Sequence, residues 1–118
     1  MVSKSASYVP ERGNAVRISF NPQTGHEQSG RRPALVLTPS AYYGKVGLAI
    51  FCPITNKAKG YPFEVPIPEG LSVTGVILAD QVKSLDWQSR NAEYICSLPN
   101  ETVSQVLKLI DALLHDTT

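Results

Sequence analysis

The chain has 118 residues, enough to bury one core and too few for two, so a single domain over residues 1–118 is expected. Its formal net charge of +1 excludes a molecule whose whole-body field gathers nucleic acid; such a partner would have to be met by a local basic patch. No window approaches the ~18 apolar residues of a membrane span and residues 1–10 contain no apolar leader core, so a cytoplasmic protein without a membrane partner is expected.

Met1 to Ser7 is small and polar and reads as a flexible end; Tyr8-Val9-Pro10 and Arg12-Gly13 form a turn into the first strand. Val16, Ile18 and Phe20 alternate with Arg17 and Ser19, the period of a strand with one face in the core and one in water. Asn21-Pro22 ends it. Gly25 to Arg31 is polar and charged, and Ala34 to Leu37 is a short apolar run that reads as the second strand.

Tyr42-Tyr43-Gly44 predicts a turn or a one-turn helix, and Leu48 to Cys52 a third strand stopped by Pro53. Ile54 to Lys59 is a second polar loop. Phe63 to Ile67, bracketed by prolines, reads as an edge or irregular strand. Val73 to Ala79 is the most strongly apolar strand, with Asp80-Gln81 at its end. Val82 to Leu85 and Glu93 to Cys96 complete seven short strands, and Trp87 reads as an apolar plug. Val103, Val106, Leu107, Ile110, Leu113 and Leu114 then fall on one helical stripe, with Asn100 or Ser97 as N-cap and Glu101 in the first turn. The expected fold is mainly β with a C-terminal helix (α+β), a small SH3-like curled barrel. Cys52 and Cys96 lack metal-ligand spacing and read as small buried side chains, not as a disulfide.

The chemistry concentrates at the junction of the first polar loop and the second strand, where His26, Glu27, Gln28, Arg31 and Arg32 lie beside a rigid apolar run. That inventory suits a phosphate. Arg32 is the first candidate, because a guanidinium stays protonated and its planar fork matches phosphate oxygens. His26 has an intrinsic pKa suited to a proton carrier, and Glu27 would serve if desolvation raised its own; the two compete for the base role. Neither His26 nor His115 has the spacing of a metal-ligand set, so no metal and no cofactor is expected.

Three ordered blocks carry a resemblance to a known family: Gly25-His26-Glu27-Gln28-Ser29-Gly30-Arg31-Arg32-Pro33-Ala34-Leu35-Val36-Leu37, Lys59-Gly60-Tyr61-Pro62-Phe63-Glu64-Val65, and Gly75-Val76-Ile77-Leu78-Ala79-Asp80-Gln81-Val82-Lys83-Ser84. Together they make the chain resemble the MazF/PemK toxin endoribonucleases from about Tyr8 to Leu114. The resemblance implies the small barrel that these toxins share with the CcdB-type gyrase poisons. It implies a sequence-specific cut in single-stranded RNA, in which the 2′-hydroxyl attacks the adjacent phosphorus and leaves a 2′,3′-cyclic phosphate and a 5′-hydroxyl, inhibiting translation. It also implies a homodimer shut off by a cognate MazE-like antitoxin.

Arg32 and Thr55 match the family's catalytic arginine and third-strand threonine. The PemK branch carries a catalytic arginine where this chain has Leu78, so a mechanism built on that arginine does not transfer, and the wording Ala79-Asp80-Gln81 is that of the MazF branch. Asp80 and Gln81 read as buried groups bracing the loops. Gln28, Arg31, Lys57, Lys59 and Tyr61 are the candidate RNA contacts, with an edge-protecting role for the lysines as the plainer alternative. A rival expectation is a non-catalytic toxin of the same fold acting on a protein such as gyrase; the polar end Leu114-His115-Asp116-Thr117-Thr118 speaks against it.

Overall fold

The computed structural model describes residues 8–20, 30–43 and 47–115. Seven strands form one antiparallel sheet: β1 (Asn14–Ser19), β2 (Arg31–Val36), β3 (Leu48–Thr55), β4 (Glu64–Pro66), β5 (Val76–Leu78), β6 (Lys83–Asp86) and β7 (Glu93–Ser97). A short helix α1 (Ser40–Tyr43) precedes β3 and a long helix α2 (Asn100–His115) ends the described chain. The pairing path runs β4-β5-β3-β2-β1-β7, with β6 also on β3. The expected β architecture with a C-terminal helix is therefore present as a curled sheet, and among the described residues no ladder joins β4 to β7 to close it. The expected flexible end at residues 1–7 lies outside the described residues.

Two strands run longer than expected, each through a proline. β2 begins at Arg31, three residues before the apolar run, and passes through Pro33; β3 passes through Pro53 to Thr55. Proline is tolerated where the missing N–H has no ladder partner to lose. The bond from Leu37 N to the Ile50 carbonyl fixes the alternation, so Pro53 turns its nitrogen away from β2. On that side β3 changes neighbours, from β6 along Leu48–Phe51 to β5 at Ile54 and Thr55. The missing donor falls at the changeover and no ladder bond is lost.

The sheet is apolar on both faces, not on one. Ala15, Leu35, Cys52, Ile54 and Ile77 join Val103 and Val106 of α2 in one core, while Val16, Ile18, Ala34, Val36, Phe51 and Trp87 form the other. Alternating residues of β1, β2 and β3 thus go to different cores, and Arg17 is the exposed exception on β1. The helical stripe is buried only at its start: Val103 and Val106 are buried, Leu107 and Ile110 partly so, and Leu113 and Leu114 are 40% and 76% exposed. Neither Asn100 nor Ser97 caps α2. The N–H groups of Thr102 and Val103 bond instead to the Pro99 carbonyl, and the Ser97 hydroxyl meets Tyr94 and Asn14. Cys52 is buried, Cys96 only partly, and both are free thiols. No helix among the described residues is long and apolar enough to cross a membrane.

Candidate active site

Strand alternation separates the two adjacent arginines. Successive side chains of a strand point to opposite faces, so once β2 starts at Arg31 its first two residues must diverge. Arg31 is fixed by carbonyls: Nη2 donates to Arg17 at 3.1 Å and to Asn91 at 2.7 Å, and Nη1 to Arg90 at 3.3 Å. It also pairs with Glu93 at 3.2 Å. The Arg90 guanidinium in turn holds the Ser19 and Phe20 carbonyls at 3.0 and 2.8 Å, and Phe20 N bonds to Gly30 O at 3.0 Å. These contacts tie the end of β1 to the start of β2, so Arg31 braces the junction of those two strands.

Arg32 is exposed and lines a different place, a cleft of about 450 Å³. Thr55 lines the same cleft, as do Lys57, Lys59, Tyr61, Asp80 and Gln81. The structure therefore gathers seven of the candidate residues around one cavity and leaves Arg31 out of it. Asp80 and Gln81 are exposed on its wall, which corrects the expectation that they are buried braces: β5 ends at Leu78, and the turn that follows carries both side chains out of the sheet. His26, Glu27 and Gln28 lie outside the described residues.

Thr55 is the last residue of β3, and its position is dictated by backbone. The Cα of Gly75 sits so close that an added Cβ would stand 2.2 Å from the Thr55 carbonyl oxygen, and its φ of +113° suits glycine. The Thr55 hydroxyl accepts a bond from Lys57 N at 3.1 Å. With that lone pair engaged, the O–H proton remains to be donated, and an anion in the cleft is its natural acceptor. An arginine fork and a hydroxyl donor thus address one cavity.

Several cleft residues were not singled out from the sequence. Lys83 lies with its Nζ 5.6 Å from the centroid of the Phe20 ring, and both line the cavity. Glu64 binds the loop after β3: its carboxylate accepts Lys59 N at 3.0 and 3.2 Å and Gly60 N at 3.0 Å. Both residues stand inside the blocks quoted above, but only pairing and loop geometry reveal what they touch. Among the described residues the cleft collects four cations, Arg32, Lys57, Lys59 and Lys83, against two carboxylates, Glu64 and Asp80. A chain of net charge +1 thereby presents a locally positive cavity. Such a site can hold a phosphodiester while leaving exposed Tyr61, Lys57 and Lys59 beside it to meet unpaired bases.

Residues 11–114 match the family described as PemK-like, MazF-like toxin of type II toxin-antitoxin system. The chain is 41% identical over 114 residues to the endoribonuclease toxin MazF of Escherichia coli strain K12, covering 97% of this chain and 99% of that one. Its structure is similar to a crystal structure of MazF from Deinococcus radiodurans, with a TM-score of 0.84, 53% identity, and 92% and 98% of the two chains covered. It is also similar to a MazE-MazF structure from the same organism, with a TM-score of 0.83, 46% identity, and 94% and 100% covered.

Proposed function

The chain belongs to the PemK-like, MazF-like family of type II toxin–antitoxin systems and is an RNA-cleaving enzyme; on that premise we propose that the cleft around Arg32 and Thr55 is where it cuts single-stranded RNA. Arg32 holds the nonbridging oxygens of the scissile phosphate and the Thr55 hydroxyl donates to one of them, so the charge that builds up at phosphorus meets donors already in place. The neighbouring 2′-hydroxyl attacks phosphorus and the bond to the 5′-oxygen breaks. The products are a 2′,3′-cyclic phosphate and a 5′-hydroxyl, the proton lost at the 2′-oxygen being balanced by one gained at the 5′-oxygen. Glu27 or His26 takes the first proton.

The observation that carries this reading is the shared cleft. Had the fold set Arg32 and Thr55 at opposite ends of the sheet, no phosphate could touch both; they line one cavity instead. A MazE-like antitoxin is proposed to lay an acidic, extended segment across the same positive cavity, and the enzyme to act as a cytoplasmic homodimer through its exposed apolar side chains. The test is incubation of the pure protein with a long unstructured RNA in EDTA, followed by mapping of the ends. Discrete cuts with 5′-hydroxyl ends are expected. Intact RNA, or cuts with 5′-phosphate ends, would overturn the proposal.

A further inference from the structure

The loop from Asn56 to Tyr61, between β3 and β4, carries exposed Lys57, Lys59 and Tyr61 into the cleft, yet hydrogen bonds hold its backbone at Lys57, Lys59, Gly60 and Tyr61. At its start, Lys57 N bonds to the Thr55 hydroxyl at 3.1 Å, and Asn56 Oδ1 accepts the Thr74 hydroxyl at 2.9 Å. At its far end, Glu64 N bonds to the Tyr61 carbonyl at 3.2 Å. Between these points the Glu64 carboxylate fills the loop's inside, bound by Lys59 N and Gly60 N. Gly60 has a φ of +79°, and a left-handed residue here lets successive N–H groups converge on one anion. Glu64 itself is pinned in β4, paired with Leu78 of β5, so the loop is referenced to the sheet that carries Thr55.

We infer that Glu64 is a positioning residue for base selection: its carboxylate shapes the loop that reads the RNA, and it takes no part in breaking the bond. The inference rests on the endoribonuclease reading of the same cleft and adds the origin of its sequence preference. A loop that is rigid before RNA arrives can refuse a base that does not fit, whereas a loose loop adapts to the wrong one. Glu64→Ala removes the acceptor that organises the Lys59 and Gly60 N–H groups. Glu64→Gln keeps one acceptor oxygen in the same place. Gly60→Ala strains the same turn from the backbone side, and its Cβ would meet nothing within 4 Å, so the change acts through φ alone.

The experiment compares wild type with these three variants on an RNA carrying the preferred cleavage word and on its single-base variants, measuring kcat and KM for each. In Glu64→Ala, the ratio of kcat/KM between preferred and altered words is expected to fall about tenfold to hundredfold, mainly through KM on the preferred word. Gly60→Ala should move the ratio the same way, and Glu64→Gln should restore part of it. Unchanged discrimination in a folded, active Glu64→Ala would overturn the inference alone. So would a collapse of kcat at unchanged KM and unchanged preference. Should wild type leave RNA intact, the endoribonuclease reading would fail first and this inference with it. If Glu64→Ala does not fold, Gly60→Ala and Glu64→Gln decide by the same ratio.

Discussion

Arg31 and Arg32 are neighbours in sequence with the same side chain, and the structure gives them unlike work. Arg31 holds the Arg17, Arg90 and Asn91 carbonyls, while Arg32 stands exposed in the cleft. Arg32→Ala should lower the cleavage rate by roughly a hundredfold or more, the scale of losing one donor to a developing charge, with an unaltered melting curve. Arg31→Ala should instead cost about 1 kcal/mol of stability, read from urea midpoints, because the Arg17, Arg90 and Asn91 carbonyls lose a charged donor at a partly exposed site; its exposed pairing with Glu93 contributes little. Equal loss of activity with no loss of stability in both variants would contradict the division. Arg32 was legible as the phosphate residue, but the part Arg31 plays was not: the apolar run marked a strand starting at Ala34, and only a strand that begins at Arg31 sends the two side chains to opposite faces. Cys52 makes a second residue-scale prediction. Burial, with the Asp80 carboxylate adding to it, pushes the thiol from its ordinary 9.0 up to about 12. Between those values the unfolded chain loses a proton that the folded chain keeps, so stability present below pH 9 should be lost as pH rises towards 12, by up to ~1.4 kcal/mol per pH unit. Burial, with Tyr94 and Glu11 nearby, also raises the Tyr8 hydroxyl, which adds to the alkaline loss. Urea midpoints of wild type and Cys52→Ala against pH isolate the thiol: the variant should fall less steeply.

At the scale of elements, Thr55 is held by a contact that only glycine permits. β5 approaches the end of β3 so closely that Gly75→Ala would place a methyl 2.2 Å from the Thr55 carbonyl, in a backbone conformation with φ of +113°. Overpacking and strain together should cost about 2–4 kcal/mol, and the relief must come from moving Thr55 or Asn56. Gly75→Ala is therefore expected to lose activity beyond its loss of stability: below its melting midpoint, the fully folded fraction should still cut slowly. Full specific activity in that fraction would show that Thr55 needs no such fixing. The sequence carried the residue, inside the Gly75-Val76-Ile77-Leu78 block, but not its reason, since a close approach between strands 20 residues apart leaves no local mark. Where the signal was local, reading succeeded: α2 followed from a helical stripe and β1 from alternation. It failed at β3, where Pro53 suggested an end but the strand merely exchanges β6 for β5. It failed again at Asp80 and Gln81, read as buried groups bracing the loops and found exposed on the cleft wall.

For the whole molecule the question is how a chain of net charge +1 attracts a polyanion. Its field at a distance is weak, so attraction needs a local source; among the described residues four cations line one cavity, and their range is that of a Debye length, about 8 Å at physiological salt. Binding should then be local and countable. Each phosphate neutralised on a single strand contributes about −0.7 to the slope of log K against log salt. A 2′-O-methyl oligonucleotide, whose blocked 2′-oxygens cannot attack phosphorus, allows that slope to be measured without cleavage. Removing Lys57 or Lys83 should flatten it by about 0.7 each if the side chain meets a phosphate. Lys108, on α2 and lining a separate cavity with Glu101 and Gln105, serves as the control and should leave the slope unchanged. The variants also separate two roles that one lysine can play. A residue that only protects a sheet edge from association would change neither slope nor affinity, and its loss would show as aggregation. If Lys108→Ala flattened the slope as much as Lys57→Ala, RNA would be held diffusely over the surface, and the cleft would have no special claim on it.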